Sequence, residues 1–141
     1  MYSIGDISKK FNLTVSTLRY YDKEGLLPDI KRNSSGIRVF SDNDINTLNV
    51  IECLKKSGMR LKDIKLFLDW CHIGNETLEK RKAMFFQRKA EVQKQIKDLE
   101  KTLDFINYKC SYYTEACKDG TEEIVKKSQK FQGFFNKKIQ G

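Results

Sequence analysis

Histidine, proline and tryptophan each occur once in this 141-residue chain. Each shortage excludes something. General acid–base or nucleophilic catalysis needs convergent groups, and a lone His72 with no Gly-rich phosphate loop and no nucleophile motif argues against an enzyme. No stretch strings together enough apolar residues to span a bilayer, and Met1-Tyr2-Ser3-Ile4 lacks the basic start and apolar run of a signal peptide. The expected location is therefore the cytoplasm, with no membrane partner. Cys53, Cys71, Cys110 and Cys117 are too scattered for a C-x-x-C redox pair or a zinc knuckle, so reduced thiols are the default. No internal repeat or low-complexity linker breaks the chain.

What is abundant is charge. Lysine and arginine number 27 against 19 acidic residues, a net charge of +8 that attracts polyanions. The excess is spread along the chain and does not locate a site. The length accommodates one modest head and an extension rather than two full domains.

The order of elements can be read from caps and periodicity. Ser3 caps a first helix with Asp6 at its third position, and Ile4, Ile7 and Phe11 form its apolar face. Asn12-Leu13 turns the chain, Thr14 caps a second helix with Val15, Leu18 and Tyr21 on one side, and Gly25 and Pro28 end it. Two short helices across a tight turn make a helix-turn-helix, whose second helix usually enters the major groove. Ile30-Lys31-Arg32 and Ile37-Arg38-Val39 flank Asn33-Ser34-Ser35-Gly36 and predict a basic hairpin wing. A third helix starts at Ser41 and stops at Ser57-Gly58, and a fourth covers about Leu61 to Cys71 with Ile64, Phe67 and Leu68 inward.

From Asn75 a sustained heptad takes over: Leu78, Phe85, Val92, Leu99, Ile106 and Tyr113 lie seven residues apart, with Lys82, Lys89, Ile96, Leu103, Cys110 and Cys117 as the second line. At ~1.5 Å per residue such a helix is roughly 65 Å long, more than a compact head can cover, so its seam calls for a partner helix and a dimer. The expected fold is mainly α: a winged helix-turn-helix over residues 1–72, a coiled-coil dimerisation helix over 75–118, and a C-terminal segment over 119–141 with a short last helix bearing Ile124, Val125 and Phe131.

This order, and the residues themselves, resemble the MerR family. Tyr2-Ser3-Ile4-Gly5-Asp6, the run from Thr17 to Pro28 (TLRYYDKEGLLP) and Gly36-Ile37-Arg38-Val39-Phe40 match its head motifs over residues 1–70, and the coiled-coil helix extends the match to about residue 113. One departure is Ile37, where the family's wing usually carries an aromatic residue before its arginine. The resemblance implies a homodimer with antiparallel long helices, bound to a pseudo-palindromic element of double-stranded promoter DNA. It also implies distortion of an over-long promoter spacer so that RNA polymerase can engage, the polymerase being reached only through the promoter. Bending DNA costs about 1 to 6 kcal/mol, which head and wing contacts must offset.

The DNA-binding residues expected on this basis are Thr14, Ser16, Thr17, Arg19, Tyr20, Tyr21, Arg32 and Arg38. Ser16, Thr17, Arg19 and Tyr20 lie away from the apolar face, and Arg19 can read a guanine edge or clamp a phosphate. Tyr21 lies on the core side and also reads as a packing residue. Arg32 and Arg38 suit backbone contacts that position without specifying; Lys31 fits simple solvation equally well.

The trigger is the open question at this level. Cys53 stands one turn before Lys56, a charged neighbour that suits a thiol reacting with electrophiles. Its segment, Ile51 to Met59, and the run from Leu103 to Tyr113 resemble the aldehyde- and electrophile-responsive subgroup of the family. The opposing view is a buried cysteine that fills a gap. A metal-responsive alternative uses Cys110 and Cys117, with Cys71 and His72 as further ligands, although one heptad separates the first pair by ~10 Å on an unbroken helix. A third view has Phe131, Phe134, Phe135 and Trp70 holding an apolar ligand, against those aromatics stapling the tail. Lys126, Lys127, Lys130, Lys137 and Lys138 form a basic amphipathic stretch suited to a membrane or phosphate surface, with a solvated face preferred. No cofactor is expected. A coiled-coil adaptor without DNA binding accounts for the long helix but leaves the wing, Arg19 and Arg38 without a purpose.

Overall fold

The computed structural model describes residues 1–128. The order is β1 (Tyr2–Ser3), α1 (Ile4–Phe11), α2 (Val15–Lys23), β2 (Lys31–Arg32), β3 (Arg38–Phe40), α3 (Asp42–Lys56), α4 (Leu61–Ile73), a 3-10 turn (Asn75–Thr77), α5 (Leu78–Asp119) and α6 (Glu123–Lys127). Two compact units result, Met1–Glu91 and the part from Val92 onward.

In the first unit the helix starts are set locally. The Ser3 side chain accepts from the Asp6 amide and the Asp6 carboxylate accepts from the Ser3 amide, a reciprocal cap repeated by Ser41 and Asp44 on α3. Asn12 takes the left-handed conformation (φ 52°) that ends α1, and Ser8 closes the following turn by bonding Leu13 through both hydroxyl and carbonyl. Gly25 has φ 77°, which lets the Leu26 amide return to the Tyr21 carbonyl; an added Cβ there would also meet Lys65 at 3.2 Å.

Ile7, Leu18, Tyr21, Leu26, Leu27, Phe40, Leu48, Ile51 and Ile64 are almost fully buried in one core, with Leu54 and Leu68 beside them. Phe67 is half-buried at its edge and meets the Phe85 ring edge-on at 5.1 Å. The wing belongs to a three-stranded antiparallel sheet in the order β1-β3-β2, with Tyr2 opposite Phe40 and Arg32 opposite Arg38. The strands differ slightly from the sequence expectation. Pairing runs to Phe40, whose burial anchors β3, and Ile30 and Ile37 fall outside it. Likewise α4 continues to Ile73, and a 3-10 turn precedes the long helix, which starts at Leu78 rather than Asn75.

Thr77 builds that junction. Its buried hydroxyl lies 2.6 Å from the Trp70 carbonyl and 2.8 Å from that of Gly74, while Arg81 donates to both the hydroxyl and the Gly74 carbonyl.

In the second unit Tyr112, Ala116 and Val125 form a small core, with Tyr108 packed against it. The Tyr112 hydroxyl donates to Glu122, and burial followed by this acidic neighbour raises its pKa. The last helix starts at Glu123, with the Thr121 hydroxyl accepting from the Glu123 amide. Phe131, Phe134, Phe135, Lys130, Lys137 and Lys138 lie outside the described residues. No described helix is long and apolar enough to cross a membrane.

Candidate nucleic-acid interface

The second helix of the pair, α2, divides cleanly by face. Leu18 and Tyr21 are buried, whereas Ser16, Arg19 and Tyr20 are exposed, as 3.6-residue periodicity requires when one stripe enters the core. Thr14 caps the helix: its hydroxyl accepts from the Thr17 amide and lies 2.8 Å from the Thr17 hydroxyl. Ser16, Arg19 and Tyr20 thus form a polar, cationic surface on a rigid helix, and Thr14 and Thr17 occupy its first turn.

Tyr21 is placed differently from the rest of the expected set. Its ring is 1% exposed, its hydroxyl donates to Glu52 at 3.0 Å, and Lys55 donates to it. Burial, with the carboxylate of Glu52, outweighs Lys55 and raises the Tyr21 pKa; the Lys55 pKa is also raised, first by its bond to Tyr21. These contacts seat α2 on α3.

The wing presents Lys31 and Arg32 on β2 and Arg38 on β3. Its loop is closed by Asn33, whose side-chain oxygen accepts from the Ser35 and Ile37 amides while its backbone pairs with Ile37 and Gly36. Arg32 folds back to donate to the Gly36 carbonyl at 2.7 Å. Arg38 reaches inward, its Nε donating to Asp22 of α2 at 2.7 Å. Ile37, at the position that departs from the family pattern, is 56% exposed and supplies no polar group.

Two features escaped the sequence reasoning. Strand β1 is two residues long and carries no periodic signal, and Asp22 was passed over although it is the acidic partner of the wing. A lone carboxylate on a helix whose other charged residues, Arg19 and Lys23, are basic is the signal that could have found it.

All four cysteines are free and exposed in the single chain, so Cys53 does not fill a gap in the core of the head. Cys110 and Cys117 both lie on the unbroken α5. Among the described residues no three His, Cys, Asp or Glu side chains converge on a metal-binding position.

The family model for the MerR helix-turn-helix regulatory proteins matches residues 2–70. An HTH-type transcriptional regulator of Haemophilus influenzae is 40% identical over 124 residues, covering 88% of this chain and 92% of its own length. The HTH-type transcriptional regulator AdhR of Bacillus subtilis is 36% identical over 80 residues, 57% of each chain. The crystal structure of HiNmlR, a MerR family regulator lacking the sensor domain and bound to promoter DNA, matches with a TM-score of 0.84 at 39% identity, over 91% of this chain and 97% of that one. These relatives are DNA-binding regulators of transcription, not enzymes. On this evidence the chain belongs to the MerR family of helix-turn-helix regulatory proteins.

Proposed function

We propose that the chain acts in the cytoplasm as a homodimer on double-stranded promoter DNA. Each head, residues 1–72, sets α2 in the major groove of one half of a pseudo-palindromic site and lays its wing on the adjoining backbone. Arg19 reads a base edge, assisted by Ser16 and Tyr20, while Thr14, Thr17 and Arg32 hold phosphates and Arg38 supports the wing. Tyr21 contributes by seating the helix. The helix over 75–118 is the dimerisation element, its partner antiparallel, and 119–141 is an appendage. Distortion of the promoter between the two heads is what RNA polymerase senses.

The observation that carries this reading is the split of α2 into a buried Leu18–Tyr21 stripe and an exposed Ser16–Arg19–Tyr20 face. The dimer is supported by α5, where Leu78, Phe85, Ile96, Leu99, Leu103, Ile106 and Tyr113 are 45 to 68% exposed in the single chain and Val92 is half-exposed; so long an apolar row needs covering. The test is Arg19→Ala on a duplex selected from a random pool by the wild-type protein. Losing a bidentate base contact is worth about 1 to 3 kcal/mol, so affinity falls at least fivefold and discrimination relaxes at one base position. Unchanged affinity would mean that α2 is not the reading helix.

For the signal, the exposure of Cys53 favours a reactive thiol. It lies on α3 directly beside Glu52, the residue that holds the Tyr21 hydroxyl, so an adduct there disturbs the seat of α2. A reactive aldehyde is the proposed class of inducer. Native mass spectrometry of the reduced protein after separate exposure to an aldehyde, copper(I) and zinc tests it. An adduct lost in Cys53→Ser supports the thiol, whereas one metal per dimer would point to Cys110 and Cys117 instead.

A further inference from the structure

Sequence-specific binding by a winged helix-turn-helix needs two surfaces to meet the duplex together: a helix in the groove and a wing on the backbone. Their separation must match the DNA to within a fraction of an ångström for both contact sets to form, and a wing only a few residues long gains little rigidity from its own ladder. Here β3 packs on α1 and α3, and the Asp22–Arg38 pair ties it to α2 as well. Asp22 lies in the last turn of α2, and its carboxylate accepts from Arg38 Nε at 2.7 Å, with 27% and 21% of the two side chains exposed. Three-quarters shielded from solvent, the pair is less screened than a surface ion pair.

The choice of residue is informative. A carboxylate on a DNA-facing helix repels phosphate, and it persists at no cost to binding only if its charge is spent internally. Arg38 spends it, since the guanidinium of an arginine has five N–H groups and the Nε–H is the one committed here.

We propose that Asp22 is a positioning residue of the DNA interface: by holding Arg38 it fixes the spacing of recognition helix and wing that specific, but not non-specific, binding requires. The inference rests on the proposed use of α2 and the wing on DNA. Asp22 touches no base. Its effect on affinity runs through Arg38 and the placement of the wing; Asp22 itself contacts no phosphate.

The test uses the full-length protein, a duplex selected by the wild type from a random pool, and an unrelated duplex of equal length, each titrated over a range of salt. Asp22→Asn, which is isosteric, is expected to weaken binding to the selected duplex about tenfold and to leave the unrelated duplex within about twofold. On the unrelated duplex the slope of log affinity against log salt, ~0.9 per phosphate neutralised, stays at the wild-type value because the substitution removes no cationic side chain. Asp22→Glu recovers most of the affinity. In the Arg38→Gln background Asp22→Asn has no further effect. A general loss of folding would instead lower both duplexes together, and a thermal melt of each variant checks it. The proposal is overturned if Asp22→Asn binds the selected duplex as tightly as the wild type or more tightly, or if the Asp22 and Arg38 losses multiply. Failure of the underlying interface is a separate outcome: the wild type then shows no preference between duplexes, and Arg19→Ala changes nothing.

Discussion

Replacing Tyr21 with phenylalanine separates packing from DNA contact at the one expected interface residue that lies inside the head. The ring stays, so the burial that Tyr21 contributes to the core is kept, and only the hydroxyl is removed. That hydroxyl makes two bonds to charged partners, Glu52 and Lys55. Hydrogen bonds to charged groups are worth about 1.5 to 3 kcal/mol each, but the side chains of Glu52 and Lys55 are 20% and 34% exposed and lie 3.5 Å apart, so water and their own ion pair take over part of the bonding. The expected loss is about 1 to 2 kcal/mol, a factor of roughly 5 to 30 in the folding equilibrium. Urea unfolding at one fixed protein concentration reads it, since the midpoint of a protein that dimerises depends on concentration. The salt slope on a selected duplex should not change. Unaltered stability together with weaker binding to the selected duplex would mean that the hydroxyl itself contacts the DNA, and would refute the seating role.

Three further outcomes follow from the same geometry. The pKa values of Tyr21 and Lys55 are raised above 10.0 and 10.5, so their contribution to stability is complete below about pH 10 and is lost as pH rises through the folded values; the urea midpoint should fall there more steeply in the wild type than in Tyr21→Phe. Thr77→Val strips Arg81 and two carbonyls of a buried partner and should cost about 1 to 3 kcal/mol in a thermal melt, whereas a near-neutral result would show that the junction before α5 does not depend on this hydroxyl. Leu99→Glu with Ile106→Glu alters side chains 68% and 50% exposed in the single chain, so the head should keep its secondary structure while sedimentation reports a monomer at micromolar concentration; a retained dimer would remove α5 as the interface.

What the sequence made legible was local. The caps at Ser3 and Ser41, the left-handed Asn12 turn, the stop at Gly25 and the heptad of α5 all depend on residues within one or two turns of each other, and each pattern has one physical solution. The exposed face of α2 followed for the same reason, as the complement of the Leu18–Tyr21 stripe. The parts that were not legible depend on distant partners. Asp22 and Arg38 are 16 positions apart, and Tyr21 is 31 from Glu52 and 34 from Lys55, separations without periodicity. Strand β3 runs from Arg38 to Phe40 rather than from Ile37 to Val39, ending on a side chain buried in the core, and β1 is too short to alternate at all.

The most direct test of the account is the stoichiometry and footprint of the wild-type protein on its selected duplex, by native mass spectrometry with hydroxyl-radical protection. Two chains per duplex, protecting two inverted half-sites one helical turn apart or a multiple of it, about 34 to 36 Å per turn, is the predicted result. One chain protecting a single site, or uniform protection without sequence preference, would contradict it.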